Sequence, residues 1–183
     1  MNLSDYKCVW KKVHEEWECK KKYCINELGL QALLYKELSA KFPKKYVVVE
    51  PLWYQGDKPK YRPDLVMISD DKISDVFEIK FAPWWKGVRY KDDVGKLLEY
   101  QGENWKYYSR LKDTYSGEDD PLEISKDCKF HLVRVAKEGS AATEPINISD
   151  KIILWYGRVS KNSEDDCWGI SMGESTFRVE PPR

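Results

Sequence analysis

Two apolar-rich segments, 62–69 and 75–81, are joined by nothing longer than the polar turn Ser69 to Lys72, and that closeness forces them into a hairpin. Alternation along a strand then decides which side chains share a face. In the first segment Asp64, Val66 and Ile68 stand on one side, with Leu65, Met67 and Ser69 on the other. In the second, Phe77, Ile79 and Phe81 form a face that has to pack, opposite Val76, Glu78 and Lys80. The flanking chain supplies the helices to cover it. Over residues 4 to about 42, Tyr6, Val9, Trp10, Val13 and Trp17 keep one helical stripe and Leu30, Leu33, Leu34, Leu38 and Phe42 another. Asn26 between the stripes suits a cap, so the segment reads as two helices or as one helix with a break near Asn26, and Pro43 stops it. Tyr46 to Glu50 reads as a further strand. Asp92 and Asp93 open a helix whose stripe (Val94, Leu97, Leu98, Trp105, Tyr108, Leu111) runs to about Asp113. Lys129 to Ala136 and Ile152 to Val159 read as strands, Gly139 to Asn147 as a linker, and the acidic segment Glu118 to Asp127 as a solvated loop.

Helices and strands in this order imply an α/β fold, a three-layer α/β/α arrangement with a mixed central sheet. At 183 residues a single domain is expected, with enough apolar residues, 42%, to fold without disulfides. The longest uncharged apolar runs, Tyr46 to Val49 and Ile152 to Tyr156, fall far short of a membrane span of about 20 residues, and Asp5 and Lys7 interrupt any signal sequence. Five cysteines without a secretory leader read as reduced thiols, so a cytoplasmic protein with no membrane partner is expected. Lys and Arg match Asp and Glu at 31 each, which argues against a polyanion coating the whole surface and leaves room for a local patch.

The polar residues that interrupt these patterns are the candidates for chemistry. Asp64 is the one acid on its strand face, and the hairpin brings it beside Glu78, two hard carboxylates of the kind Mg²⁺ prefers, with Lys80 next to them. Gln101 falls inside the buried stripe of its helix. Glu27, seven and eleven residues before Leu34 and Leu38, does the same, with Gln31 one turn along. Buried polar groups need partners, and a shared metal-and-water site of Glu27, Asp64, Glu78, Lys80 and Gln101 would satisfy all of them. Lys96 is the alternative polar helper, although its spacing puts it off the stripe. From Trp84 to Lys91, Trp84, Trp85, Lys86, Arg89 and Lys91 interleave aromatic and basic groups, the chemistry that stacks bases and neutralises phosphates. The plainer reading has the tryptophans packing under the next helix. Cys128 and His131 read as ordinary strand residues.

Pro63-Asp64, followed by Glu78-Ile79-Lys80, resembles the signature of the PD-(D/E)XK nucleases, the restriction-endonuclease-like superfamily. The helical Glu27 before it and the helical Gln101 after it are similar to the subgroup related to exonuclease and resolvase domains. The resemblance spans about residues 24 to 110. It implies a restriction-endonuclease-like core over about 24–136, with an N-terminal helix at 4–23 and a C-terminal β extension at 137–183, all within one domain, 1–183. It further implies a Mg²⁺- or Mn²⁺-dependent phosphodiesterase, with the metal on Asp64, Glu78, the Ile79 carbonyl and Glu27. Lys80 would orient the attacking water or neutralise phosphate charge, and Gln101 would position Lys80 or the phosphate. The expected partner is nucleic acid, DNA in preference to RNA, in repair, recombination or defence, with a homodimer for double-strand cleavage. The alternative is a silent nuclease fold serving as a nucleic-acid-binding or assembly subunit.

Overall fold

The two N-terminal stripes form two helices, α1 (Leu3–Lys20) and α2 (Glu27–Lys41). Asn26 caps α2: its side-chain oxygen accepts from the Gly29 N–H at 2.8 Å, satisfying one of the free donors of the first turn. The helix closes at Phe42, whose N–H donates to the Leu38 carbonyl at 2.9 Å, and Pro43 follows. These elements belong to a computed structural model that describes residues 3–20, 26–51, 53–55, 58–82, 91–102, 106–107, 122–137, 152–161 and 168–171.

Strands β1 (Tyr46–Val49), β2 (Trp53–Gln55) and β3 (Lys58–Tyr61) come next, then the hairpin of β4 (Leu65–Ser69) and β5 (Lys72–Ala82). Asp70 and Asp71 at its tip have φ of 51° and 55°, the two left-handed residues that a tight hairpin turn requires. Helix α3 (Lys91–Gly102), β6 (Lys106–Tyr107), β7 (Glu123–Lys137), β8 (Ile152–Lys161) and β9 (Trp168–Ser171) complete the described chain. The main sheet has the order β1-β4-β5-β7-β8-β9 and is mixed, because β5, β7 and β8 run parallel while the other neighbours are antiparallel. A small sheet, β3-β2-β6, stands apart from it.

The alternation read from the sequence divides the core. Leu65, Met67, Phe77 and Ile79 pack with the stripes of α1 and α2, whereas Val66 and Val76 pack with Val94, Leu97 and Tyr100 of α3. Strand β8 belongs to the same sheet, and its Trp155 is fully buried against Trp10 of α1, ring centroids 5.6 Å apart and edge-on. Gly157 makes room for this packing, since a Cβ there would lie 3.2 Å from Val135 Cγ2 and 3.5 Å from the Trp10 ring.

Three expectations change. The helix expected to reach Asp113 ends at Gly102, and Lys106–Tyr107 instead pairs with Trp53 and Tyr54 of β2. Gly102 weakens the helix, and the residues after it have a strand to join, a tertiary partner that periodicity does not reveal. The phase of α3 also differs: Leu98 is 42% exposed while Tyr100 is 1% exposed. Finally, Glu123 to Asp127 lie in β7, paired to β5 from Lys72 opposite Glu123, so the end of the acidic segment is strand rather than loop. Trp105, Tyr108, Leu111, Glu118 and Gly139 to Asn147 lie outside the described residues. Among the described residues no helix is long and apolar enough to cross a membrane, and Cys8 and Cys128 are free thiols.

His131 is no ordinary strand residue. Fully buried on β7, it stacks on Phe77 at 4.1 Å and contacts Asp75 Oδ1 through Nε2 at 3.1 Å, while its Nδ1 accepts from Trp155 Nε1–H at 3.0 Å. An acceptor at Nδ1 places the ring proton on Nε2, so the imidazole is neutral and donates to Asp75. Tyr6 donates its hydroxyl to Asp75, and Lys45 and Ser74 donate to Asp75 Oδ2 at 2.9 and 2.7 Å. Burial pushes Asp75 up, yet His131, Lys45 and Tyr6 together hold it below the usual carboxylate range. Tyr6→Phe removes one donor and keeps the ring, so chemical denaturation should register a loss of about 1–3 kcal/mol. Lys45→Met strips the buried acid of its counter-ion and should cost more, about 3–5 kcal/mol. Equal stability of both variants and the wild type would refute this account of the network.

Candidate active site at the open end of the hairpin

Strand β4 begins at Leu65, paired with Phe77, but β5 continues to Ala82, so the last residues of β5 overrun their neighbour. The N–H groups of Ile79 and Phe81 face that side and require acceptors. Two carboxylates take the place of the missing strand. Asp64 Oδ2 accepts from the Ile79 N–H at 2.5 Å, and Glu27 Oε2, from the first turn of α2, accepts from the Phe81 N–H at 3.0 Å. The Asp64 backbone is fixed in turn. Its N–H donates to the Phe77 carbonyl at 3.1 Å, and its carbonyl accepts from the Glu50 N–H and from Gln31 Nε2, each at 2.9 Å.

On the opposite face of β5 Glu78 is 5% exposed beneath α3. Tyr100 donates its hydroxyl to Glu78 Oε1 at 3.3 Å, and Lys96 Nζ lies 3.8 Å from Glu78 Oε2 and 3.7 Å from Asp93 Oδ1. Burial pushes the Glu78 carboxyl up to about 8, and the charges of Asp64 and Asp93 add to the shift against the pull of Lys96 and Tyr100. Asp64 is pushed up to about 6, again mainly by burial and then by Glu27, although the Ile79 N–H and the ammonium groups of Lys96 and Lys80 draw it back. The site therefore joins a half-buried acid, Asp64, to a buried one, Glu78, whose charges oppose each other with too little positive charge to balance them. Among the described residues no three His, Cys, Asp or Glu side chains converge into a cluster that would hold a metal unaided. Mg²⁺, however, keeps most of its waters and takes only one or two carboxylates, so the donor chemistry of Asp64 and Glu78 fits a hard divalent cation.

Of the residues singled out from sequence, Glu27, Asp64, Glu78 and Lys80 fall in one neighbourhood, close enough that Glu27 and Lys80 both act on the charge of Asp64, which in turn acts on Glu78. Gln101 is half-buried in the last turn of α3, one residue beyond Tyr100. Ile79 contributes its main chain to the site. Trp84, Trp85, Lys86 and Arg89 lie outside the described residues, and Lys91 opens α3. Sequence reasoning missed Asp93 and Tyr100 and set Lys96 aside. The available signal was their spacing, since residues three and four apart share a helix face and all three carry polar ends.

No family model matches this chain, and no curated protein matches it. Among solved structures it is similar to "P. aeruginosa ATCC27853 NucC, cAAA-bound form", with a TM-score of 0.47 and 9% identity, over 95% of this chain and 85% of that one.

Proposed function

We propose that this chain is a metal-dependent nuclease with a three-layer, restriction-endonuclease-like core in one domain, hydrolysing phosphodiester bonds of DNA in preference to RNA, in repair, recombination or defence. The observation that carries the reading is that the half-buried Asp64 and the buried Glu78 lie close enough for the charge of one to oppose that of the other, with Lys80 following on the Glu78 side of β5. A structural use of two such acids would pair each with a cation. Here both carboxyls are held above their ordinary values, the mark of a place short of positive charge, where the order Pro63-Asp64, Glu78-Ile79-Lys80 puts the site of the family it resembles.

Asp64, Glu78 and the Ile79 carbonyl, which faces the same edge of β5 as the Ile79 N–H, would hold Mg²⁺ or Mn²⁺, with Glu27 beside them. When bound, the ion supplies Lewis-acid polarisation of the phosphate and makes a water more acidic. The chain's own contribution is placement. Tyr100 and Lys96 orient Glu78, the Ile79 N–H orients Asp64, and the Lys80 ammonium neutralises charge that develops on the phosphate oxygens. Gln101 positions Lys80 or the phosphate. The aromatic and basic side chains of Trp84, Trp85, Lys86, Arg89 and Lys91, which follow β5, take the nucleic-acid strand.

Charge removal should stabilise the metal-free protein. A carboxyl whose folded value lies above its unfolded one withdraws stability as pH rises from the unfolded value towards the folded one. For Glu78 that window runs from its ordinary value of 4.5 to about 8. In EDTA, Glu78→Gln should therefore melt above wild type at pH 8, by at least about 2–4 °C, with the gap closing as pH falls to 4.5. Mn²⁺ or Mg²⁺ should raise the melting temperature of wild type and not of Asp64→Ala or Glu78→Ala. Equal metal response in all three proteins would remove Asp64 and Glu78 as ligands.

The function is tested by incubating the protein with linear, circular and single-stranded DNA and with RNA, in Mg²⁺, Mn²⁺ or EDTA. Cleavage that needs the metal is expected, with Lys80→Ala about 10²- to 10³-fold slower at unchanged metal response, the pattern of a group acting in the transition state. Binding without cleavage under every condition would overturn the enzyme reading in favour of a silent nuclease fold.

A further inference from the structure

One face of α3 carries Asp93, Lys96 and Tyr100 at spacings of three and four, and all three bear on Glu78. Tyr100 takes Glu78 Oε1, which leaves Oε2 turned to Lys96. The Lys96 ammonium stands 3.8 Å from Glu78 Oε2 and 3.7 Å from Asp93 Oδ1, beyond hydrogen-bond distance of both. It straddles two carboxylates without being bound by either. The acids are enclosed and the base is not: the side chains of Glu78 and Asp93 are 7% and 11% exposed, that of Lys96 41%. Asp93 also has capacity left over, since its Oδ2 is buried and has no hydrogen-bond partner among the described residues. A lysine placed only to neutralise Glu78 would sit within hydrogen-bond distance of it, and an acid placed only to favour the start of a helix would stand in water. The charges of Lys96 and Asp93 act on Glu78 with opposite sign, and that of Lys96 reaches Asp64 as well.

We propose that Lys96 is an internal competitor for the place of a hard divalent cation on Glu78, and that Asp93 draws its ammonium part-way off, so these two residues of α3 together set how tightly the site takes such a cation. The proposal rests on the reading of Asp64 and Glu78 as cation ligands. Neither Lys96 nor Asp93 belongs to the order Pro63-Asp64, Glu78-Ile79-Lys80 that suggested those ligands. An ammonium settled wholly on Glu78 would close the site to all but a high cation concentration. With no ammonium there, the opposed charges of Asp64 and Glu78 would go unrelieved in the metal-free protein. Shared with Asp93, Lys96 relieves that opposition in part and can still yield. Both are positioning residues, because each acts through Glu78.

Titration calorimetry of the full chain with MgCl₂ or MnCl₂ at one fixed pH tests it. Lys96→Met keeps most of the side chain's length and removes its charge, and should tighten binding about tenfold, the low end of what a charge within about 4–6 Å does, because Lys96 is partly in water. A proton competing for Glu78 gains from the same loss, but a divalent cation, with twice the charge, gains twice as much, so the tightening survives at neutral pH. Lys96→Arg keeps the charge and should stay near wild type. Asp93→Asn lets the ammonium settle on Glu78 and should weaken binding about tenfold. In the Lys96→Met background the same substitution should lose most of that effect. The loss separates a role exerted through Lys96 from a direct pull of Asp93 on the cation and from a change in the fold of α3, both of which would persist in the double variant. An equal effect of Asp93→Asn in both backgrounds, or binding no tighter in Lys96→Met than in wild type, would overturn the proposal, while binding abolished by Asp64→Ala would leave the nuclease reading standing. No uptake of either cation by the wild type would overturn both.

Discussion

The overrun of β5 past the start of β4 is the constraint on which the candidate site depends. A strand with one neighbour missing still has to satisfy its backbone donors, and here side-chain carboxylates do so, Asp64 for Ile79 and Glu27 for Phe81. Each acid is held within hydrogen-bond distance of a rigid strand, and α2 is held to β5 by its first residue. Were β4 longer by a few residues, its own carbonyls would occupy those positions, and the acids would have no structural reason to converge. The ladder therefore has to end early for the two acids to meet the end of β5.

Strand β5 carries two buried acids three residues apart, and their fates differ. Asp75 is fully buried and Glu78 nearly so, so burial alone would raise both. Asp75, on the α1 side, is held below the usual carboxylate range by His131, Lys45 and Tyr6, and Ser74 adds a hydrogen bond to it. Glu78, on the α3 side, has one hydroxyl and a lysine 3.8 Å away that it shares with Asp93, and it faces the charge of Asp64. Partners, not depth, make the difference. The first acid is a finished structural network, whereas the second is an electrostatic deficit, the state expected of a group reserved for a cation or a proton.

Much of this was legible in the sequence because it is local. The hairpin, its polar turn, the cap at Asn26, the stop at Pro43 and the two faces of β5 all follow from period-two alternation and turn chemistry. What escaped is tertiary. β2, β3 and β6 are two to four residues long and exist through each other, so no periodicity announces them. Leu98 and Tyr100 are both apolar enough to define the stripe of α3, and only the position of β5 decides for Tyr100, which also turns Lys96 towards Glu78. His131 looked ordinary because its partners, Asp75 and Trp155, are 56 and 24 residues away. Glu27 was singled out for its position on a helix, but the contact that fixes it, to the Phe81 N–H, belongs to the fold rather than to the motif.

The repulsion between Asp64 and Glu78 has to be resisted by something, and the resistance lies in how many elements hold Asp64. Its carbonyl is gripped from β1 through the Glu50 N–H and from α2 through Gln31, its N–H from β5 through Phe77, and its carboxylate from β5 through Ile79. Glu50 itself sits at φ 45°, a left-handed conformation that costs a residue with a Cβ about 1–2 kcal/mol. That strain is offset where the Glu50 N–H reaches the Asp64 carbonyl. A carboxylate on a free loop would swing away from a like charge and leave a cation to pull it back. Held from three elements, Asp64 cannot retreat, so the fold itself bears the energy of keeping the two acids together.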